Sequence, residues 1–141
     1  MFPPGYNTSV DLKIDWSDLD LFGHINNVAF FKYIQSARVN YCESIGLTSI
    51  NEENKLSFIV AAINCSFKTP LRYPGNVKVY TKTDWIKNSS LQLSHVLVDD
   101  KGQVTAESTD VLVIFDYTKK IKTTVPSELK LQIEQRDNKK F

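Results

Sequence analysis

Net charge is the first thing this sequence lacks. Seventeen lysines and arginines stand against sixteen aspartates and glutamates, a formal +1. Binding nucleic acid through phosphate neutralisation needs a concentrated basic face, so no nucleic-acid partner is expected. Long apolar runs are missing too. No stretch approaches the ~20 residues that span a bilayer, and no membrane partner is expected. Cysteine is scarce: Cys42 and Cys65 are the two present. Neither sits in a CxxC or a Cys/His spacing, which argues against a disulfide framework and against a metal site. Met1-Phe2-Pro3-Pro4-Gly5 offers neither a charged n-region nor an apolar h-region. The expectation is therefore no secretory signal and a cytoplasmic protein. The N-x-S/T triplets at Asn7, Asn64 and Asn88 are then chance matches. A glycine-rich phosphate loop, a βαβ rhythm and an internal repeat are also lacking, which leaves a nucleotide-binding reading without support.

What is there suits one domain. The 141 residues are 42% apolar, and a chain of this size buries roughly two-thirds of its unfolded surface. A single domain over 1–141 is expected, with its core over about 10–127 and irregular ends at 1–9 and 136–141. Residues 10–16 alternate apolar and polar, which predicts a strand with one buried face. Residues 28–45 then change to helical spacing. Ala29, Tyr33, Ala37 and Tyr41 fall four apart, Phe30, Ile34 and Ile45 mark a neighbouring stripe, and apolar residues cover most of the circumference. That pattern predicts a central helix, capped by Asn26 or Asn27 and stopped by Gly46. Residues 58–67 form a long apolar run, read as a strand buried on both faces. Alternation returns over 77–86, 91–98 and 104–115, with Asp99-Asp100-Lys101-Gly102 as a hairpin turn. A short helix behind Pro126 is expected over 127–135. Strands and helices are segregated, so the class is α+β with one antiparallel sheet.

Chemistry concentrates between the first strand and the long helix. That loop collects Asp18, Asp20, Gly23, His24, Asn26 and Asn27. A helix start carries unsatisfied N–H groups and about half a positive charge, suited to polarising a carbonyl. A carboxylate a few residues upstream sits where a base or nucleophile is needed. Gly23 permits close backbone approach, and His24 brings a side chain that titrates near neutrality. Read alone, Asp18 suits bonding to loop amides, and Asn26 and Asn27 suit capping. His95, among Leu91, Leu93 and Leu97, reads as a satisfied core histidine, and Cys42 and Cys65 read as reduced core residues.

The run Trp16-Ser17-Asp18-Leu19-Asp20-Leu21-Phe22-Gly23-His24-Ile25-Asn26-Asn27 resembles the active-site signature of hotdog-fold thioesterases. The likeness is nearest to the 4-hydroxybenzoyl-CoA thioesterase branch with its acyl-CoA and acyl-ACP relatives. Phe67-Lys68-Thr69-Pro70-Leu71-Arg72-Tyr73-Pro74-Gly75-Asn76 resembles that family's turn into its central hairpin, and Val111-Leu112-Val113-Ile114-Phe115-Asp116 its closing strand. The likeness covers about residues 10–127. It implies a hotdog fold, an antiparallel sheet wrapped around one long central helix. It further implies hydrolysis of an acyl-CoA or acyl-ACP, with Asp20 as base or nucleophile and the helix start at Asn27 polarising the carbonyl. His24 and Gly23 share the site. Phe22 stands where plant acyl-ACP thioesterases carry asparagine; they share the histidine at His24, which the 4-hydroxybenzoyl-CoA enzymes lack. No cofactor is implied, and a homodimer or homotetramer is. Lys68, Arg72, Lys87, Lys119, Lys120 and Lys122 are candidates by type for coenzyme A phosphates. A non-catalytic acyl-thioester-binding protein on the same fold is the alternative, and a hotdog hydratase fits the histidine placement less well.

Overall fold

The computed structural model describes residues 3–47 and 56–141; Met1 and Phe2 of the expected irregular lead-in lie outside them. Strand β1 (Thr8–Lys13) leads into a 3-10 turn at Trp16–Asp18, the long helix α1 (Asn27–Ser44) and four strands. These are β2 (Leu56–Phe67), β3 (Asn76–Ile86), β4 (Ser90–Val98) and β5 (Val104–Asp116). A two-residue strand β6 (Ile121–Lys122) and helix α2 (Ser127–Asp137) complete the chain. The sheet is antiparallel, ordered β1-β3-β4-β5-β2, with β6 beside β5. No helix among the described residues is long and apolar enough to cross a membrane.

The first strand ends earlier than its alternation predicts. Asp15 accepts the Ser17 N–H at 3.0 Å, and that local bond winds the chain into the 3-10 turn instead of continuing the strand. At the start of α1, Asn26 is the cap: its Oδ1 accepts the Ala29 N–H at 2.9 Å. Gly46 takes φ +80°, the left-handed residue just past the other end.

Helix α1 packs chiefly across β3 and β1. Ala29, Phe30, Tyr33, Ile34, Ala37, Tyr41 and Cys42 are buried against the sheet, which supplies Val77, Val79, Leu93, Leu97 and Leu112. At an apolar transfer value of about 25 cal/mol per Å², each of the larger aliphatic or phenyl side chains among them contributes roughly 1.5–3 kcal/mol. The flank of α1 away from the sheet is open and carries the exposed apolar residues Val28, Phe31 and Val39.

Two expectations need correction. Strand β2 is not buried on both faces. Among the described residues it pairs with β5 alone, at the sheet's edge, and leaves Ile59, Ile63 and Phe67 exposed by 41%, 40% and 48%. Its apolar run marks an uncovered edge, and Cys65 is accordingly half-buried. The irregular end of the chain begins at Asn138, two residues later than expected. α2 continues to Asp137, whose buried carboxylate accepts the Thr83 N–H at 2.8 Å and lies 2.9 Å from the Tyr41 hydroxyl, locking the helix to α1 and β3.

Candidate active site

The loop between β1 and α1 is a small hairpin. Leu19 pairs with Ile25, the Asp20 N–H donates to the His24 carbonyl at 2.7 Å, and the Asn26 N–H donates to the Asp18 carbonyl at 2.9 Å. Gly23 sits in its turn with φ +78°, where an L side chain is strained. Asp18 is structural, as its sequence context predicts, although not through loop amides. Its carboxylate pairs with Lys32 Nζ at 2.9 Å, and its carbonyl also receives Asn26 Nδ2.

Asp20 occupies the centre of this hairpin. Its Oδ1 accepts the N–H groups of Phe22 at 2.8 Å and His24 at 3.0 Å, which fixes the carboxylate plane. Its Oδ2 takes no hydrogen bond among the described residues. Desolvation pushes the carboxyl upward, but the two N–H donors and the His24 ring outweigh it and hold Asp20 below the usual carboxylate range. The group is therefore ionised at neutral pH.

An open cleft of about 470 Å³ lies alongside. Asp20, His24, Asn27 and Phe30 line one wall, and Phe67, Lys68 and Thr69 the other. Phe30 and Phe67 meet edge to face across it at 5.1 Å, joining the start of α1 to the end of β2. At the helix start the Asn26 side chain claims the Ala29 N–H, while the N–H groups of Asn27 and Val28 find no acceptor among the described residues. The cleft thus brings an immobilised carboxylate together with the start of α1, where Asn27 carries an unsatisfied helix N–H.

Of the basic residues considered for phosphate contacts, Lys68 alone lines this cleft. Arg72 bridges to His24 through the backbone and belongs to a separate cavity of about 280 Å³ with Asp100 and Lys101. Lys87 stacks on Trp85 at 4.5 Å at the β3–β4 turn. Lys119 and Lys120 lie in the β5–β6 turn and Lys122 on β6, at the end of β5 remote from the cleft. The described residues contain no group of three or more His, Cys, Asp or Glu placed to hold a metal ion.

One buried constellation escaped the sequence reading. Asp110 Oδ2 accepts from Arg38 Nε at 2.8 Å and lies 2.8 Å from His95 Nε2, and His95 Nδ1 is 2.8 Å from Thr81 Oγ1. His95 is the satisfied core histidine expected. Arg38 and Asp110 gave a signal only in their positions, a charge on the buried stripe of α1 and another at an inward position of β5.

Fold and site together define a hotdog-fold protein with a thioesterase-type loop. A model of the thioesterase-like superfamily matches residues 14–133, and the chain belongs to that superfamily. Over 125 residues it is 22% identical to the long-chain acyl-CoA thioesterase FadM of Escherichia coli (strain K12), covering 88% of this chain and 95% of that one. It is 27% identical over 92 residues to YsmA of Bacillus subtilis (strain 168), a match spanning 65% of this chain and 61% of that protein's length. Among solved structures, a Thermus thermophilus thioesterase complexed with coenzyme A and zinc superposes with a TM-score of 0.85 at 26% identity. That match covers 99% of this chain and 100% of the other. A Jannaschia sp. CCS1 superfamily member gives 0.86 at 14% identity, over 97% and 87%, a likeness of fold.

Proposed function

We propose that this chain hydrolyses acyl thioesters of coenzyme A, or of acyl carrier protein, to a free acid and a thiol. The observation that carries this reading is the Asp20 carboxylate, held by two backbone N–H groups with Oδ2 unengaged among the described residues, in the same cleft as Asn27 at the start of α1. In this reading the thioester oxygen accepts from the helix start, where the donors and helix dipole stabilise the charge that develops in the tetrahedral intermediate. Asp20 Oδ2 either takes a proton from the attacking water or attacks the carbonyl carbon itself to form an anhydride. Gly23 holds the turn, and His24, through its N–H and its ring, keeps Asp20 ionised. Phe30 and Phe67 flank the acyl group, and Lys68 stands at the rim toward the carrier's phosphates.

The working form in this reading is a homodimer, or a tetramer built from it. Strand β2 is the outermost strand of the sheet and bears the exposed Ile59, Ile63 and Phe67, next to the open apolar flank of α1. Exposed edges of this kind are normally covered, and a second copy covers both features. A cytoplasmic location completes the reading.

The test is thiol release from acyl-CoAs running from acetyl to palmitoyl, with one aryl-CoA, for wild type and Asp20→Asn. Turnover that collapses in the variant supports the assignment. Binding without release from any thioester would favour a non-catalytic acyl-thioester-binding protein. A single turnover in ¹⁸O-labelled water tests the anhydride route, since label found in the Asp20 carboxylate requires an anhydride cleaved by water at that carbonyl.

A further inference from the structure

The cleft beside Asp20 has an end as well as a mouth. On α1 the last residue that lines it is Phe30, and on β2 the first is Phe67. Those two rings meet edge to face, with centroids 5.1 Å apart and planes at 88°. Beyond them the same face of β2 goes on as Cys65 and Ile63, set opposite the buried Ser108 and Asp110 of β5. Neither Cys65 nor Ile63 lines the cleft. The ring contact therefore closes the space that holds Asp20 on the side where the surface of β2 continues.

The two rings are held differently. Phe30 is 3% exposed and belongs to the core with Ile34, Val79 and Leu97. Phe67 is 48% exposed and stands at the end of the outermost strand. Its backbone is nonetheless anchored, because the N–H groups of Lys68 and Thr69 both donate to the Thr105 carbonyl, at 2.8 and 3.3 Å. Phe67 is thus a ring at a set position that can be replaced without opening the core. Its distance from the chemistry follows from the helix. From Asn27, where the proposed reaction places the thioester carbonyl, to Phe30 the axis advances about 4.5 Å at 1.5 Å per residue, the reach of roughly four extended carbons.

We infer that the Phe30–Phe67 contact ends the acyl pocket, that Phe67 sets the chain length, and that the acyl group turned over is a short one of about four carbons. The inference rests on the thioesterase reading and narrows its substrate class. A longer chain has to part the rings and give up their edge-to-face attraction, or bend out into water with its last methylenes unburied. At such a wall one methylene too many discriminates by roughly 10–200-fold. With alanine at position 67 the cleft runs on to Cys65 and Ile63, whose apolar surface then favours a longer chain.

The experiment measures kcat/KM for thiol release from butyryl-, hexanoyl-, octanoyl- and dodecanoyl-CoA on wild type, Phe67→Ala, Phe67→Tyr and Ile59→Ala. The readout is the octanoyl-to-butyryl ratio, in which any loss of folded protein cancels. The expected ratio is below roughly 0.1 in wild type and rises at least about tenfold in Phe67→Ala. Phe67→Tyr keeps the ring and should keep the wild-type ratio. So should Ile59→Ala, which trims the opposite face of the same strand, since its partner Val113 lies an odd number of residues from the Ala106 that faces Phe67. A wild type that prefers octanoyl overturns the inference. A ratio that Phe67→Ala leaves unchanged, or that Ile59→Ala raises equally, overturns it too. Hydrolysis without a chain-length limit removes this inference alone. If no thioester releases thiol, the same ratio is read from Kd by titration calorimetry. A butyryl preference lost in Phe67→Ala then removes the enzyme reading alone, and no preference, or no binding, removes both.

Discussion

Replacing Arg38 with methionine should be among the most damaging single changes available in this chain. The substitution keeps the length of the side chain and deletes the guanidinium that sits 2.8 Å from Asp110. Asp110 is fully buried at the centre of β5, and His95 would remain as its one charged or polar neighbour within hydrogen-bond distance. Stranding one member of a buried ion pair costs roughly 3–5 kcal/mol. For a chain of this size each kcal/mol moves the melting temperature by about 2–4 °C, so a drop on the order of 6–20 °C follows. Asp110→Leu should cost a similar amount, because it strands Arg38. The double variant, with both charges gone but His95 Nε2 left without its acceptor, should cost about 1–3 kcal/mol, well below the sum of the two single changes. Urea unfolding at fixed protein concentration measures the cycle, concentration being held because association shifts apparent stability. Single variants costing under about 1 kcal/mol, or a double variant costing the sum of the two, would refute the reasoning.

Acid behaviour follows from the same pair. Burial pushes Asp110 up, but the His95 and Arg38 bonds win and hold its folded value below the ordinary one. Its stabilisation is therefore present above the unfolded value near 3.9 and is lost as pH falls below it. The double Arg38→Met, Asp110→Leu variant should lose that part of the acid slope in urea melts. Asp137 behaves oppositely. Desolvation raises its folded value above the ordinary one, so the wild type loses stability relative to Asp137→Asn as pH rises from about 4 through that value. A pH-independent difference between the two would contradict this. Asn26→Ala removes both the cap to Ala29 and the bond to the Asp18 carbonyl, and should cost about 1 kcal/mol by urea melt while lowering turnover. Gly23→Ala has open space around its new methyl but a φ of +78°, so a loss of about 1 kcal/mol from backbone strain is expected, with a fall in kcat from a displaced Asp20.

Much of this architecture was legible in the sequence because one-sided burial writes itself as periodicity. The 3.6-residue spacing of Ala29, Tyr33, Ala37 and Tyr41 located α1, and alternation located β3, β4 and β5. Asn26 and Gly46 marked the helix ends because capping chemistry is local. The Asp20 loop stood out by composition, and its family resemblance supplied roles that spacing alone does not. The failures share a cause, which is that partners distant in sequence decide them. An apolar strand covered on both faces and one lying bare at a sheet edge look alike in sequence, so β2 was misplaced in burial. Asp137 reads as part of a charged tail until Tyr41 and Thr83, 96 and 54 residues away, are seen to hold it. Arg38 and Asp110, 72 residues apart, are informative only as a pair. Lys68 was one basic residue among several until the end of β2 placed it at the cleft.

The proposed chemistry turns on Asp20, and asparagine at that position is the sharpest probe. The amide oxygen can still accept from Phe22 and His24, so the loop is kept while the carboxylate is lost. The measurement is kcat/KM for thiol release from the best acyl-CoA of the panel, for wild type and Asp20→Asn, with circular dichroism to confirm equal folding. The predicted result is a fall of roughly 10²–10⁴-fold, the range expected for losing a positioned acid–base group. A variant retaining wild-type turnover would contradict it and remove Asp20 from the chemistry.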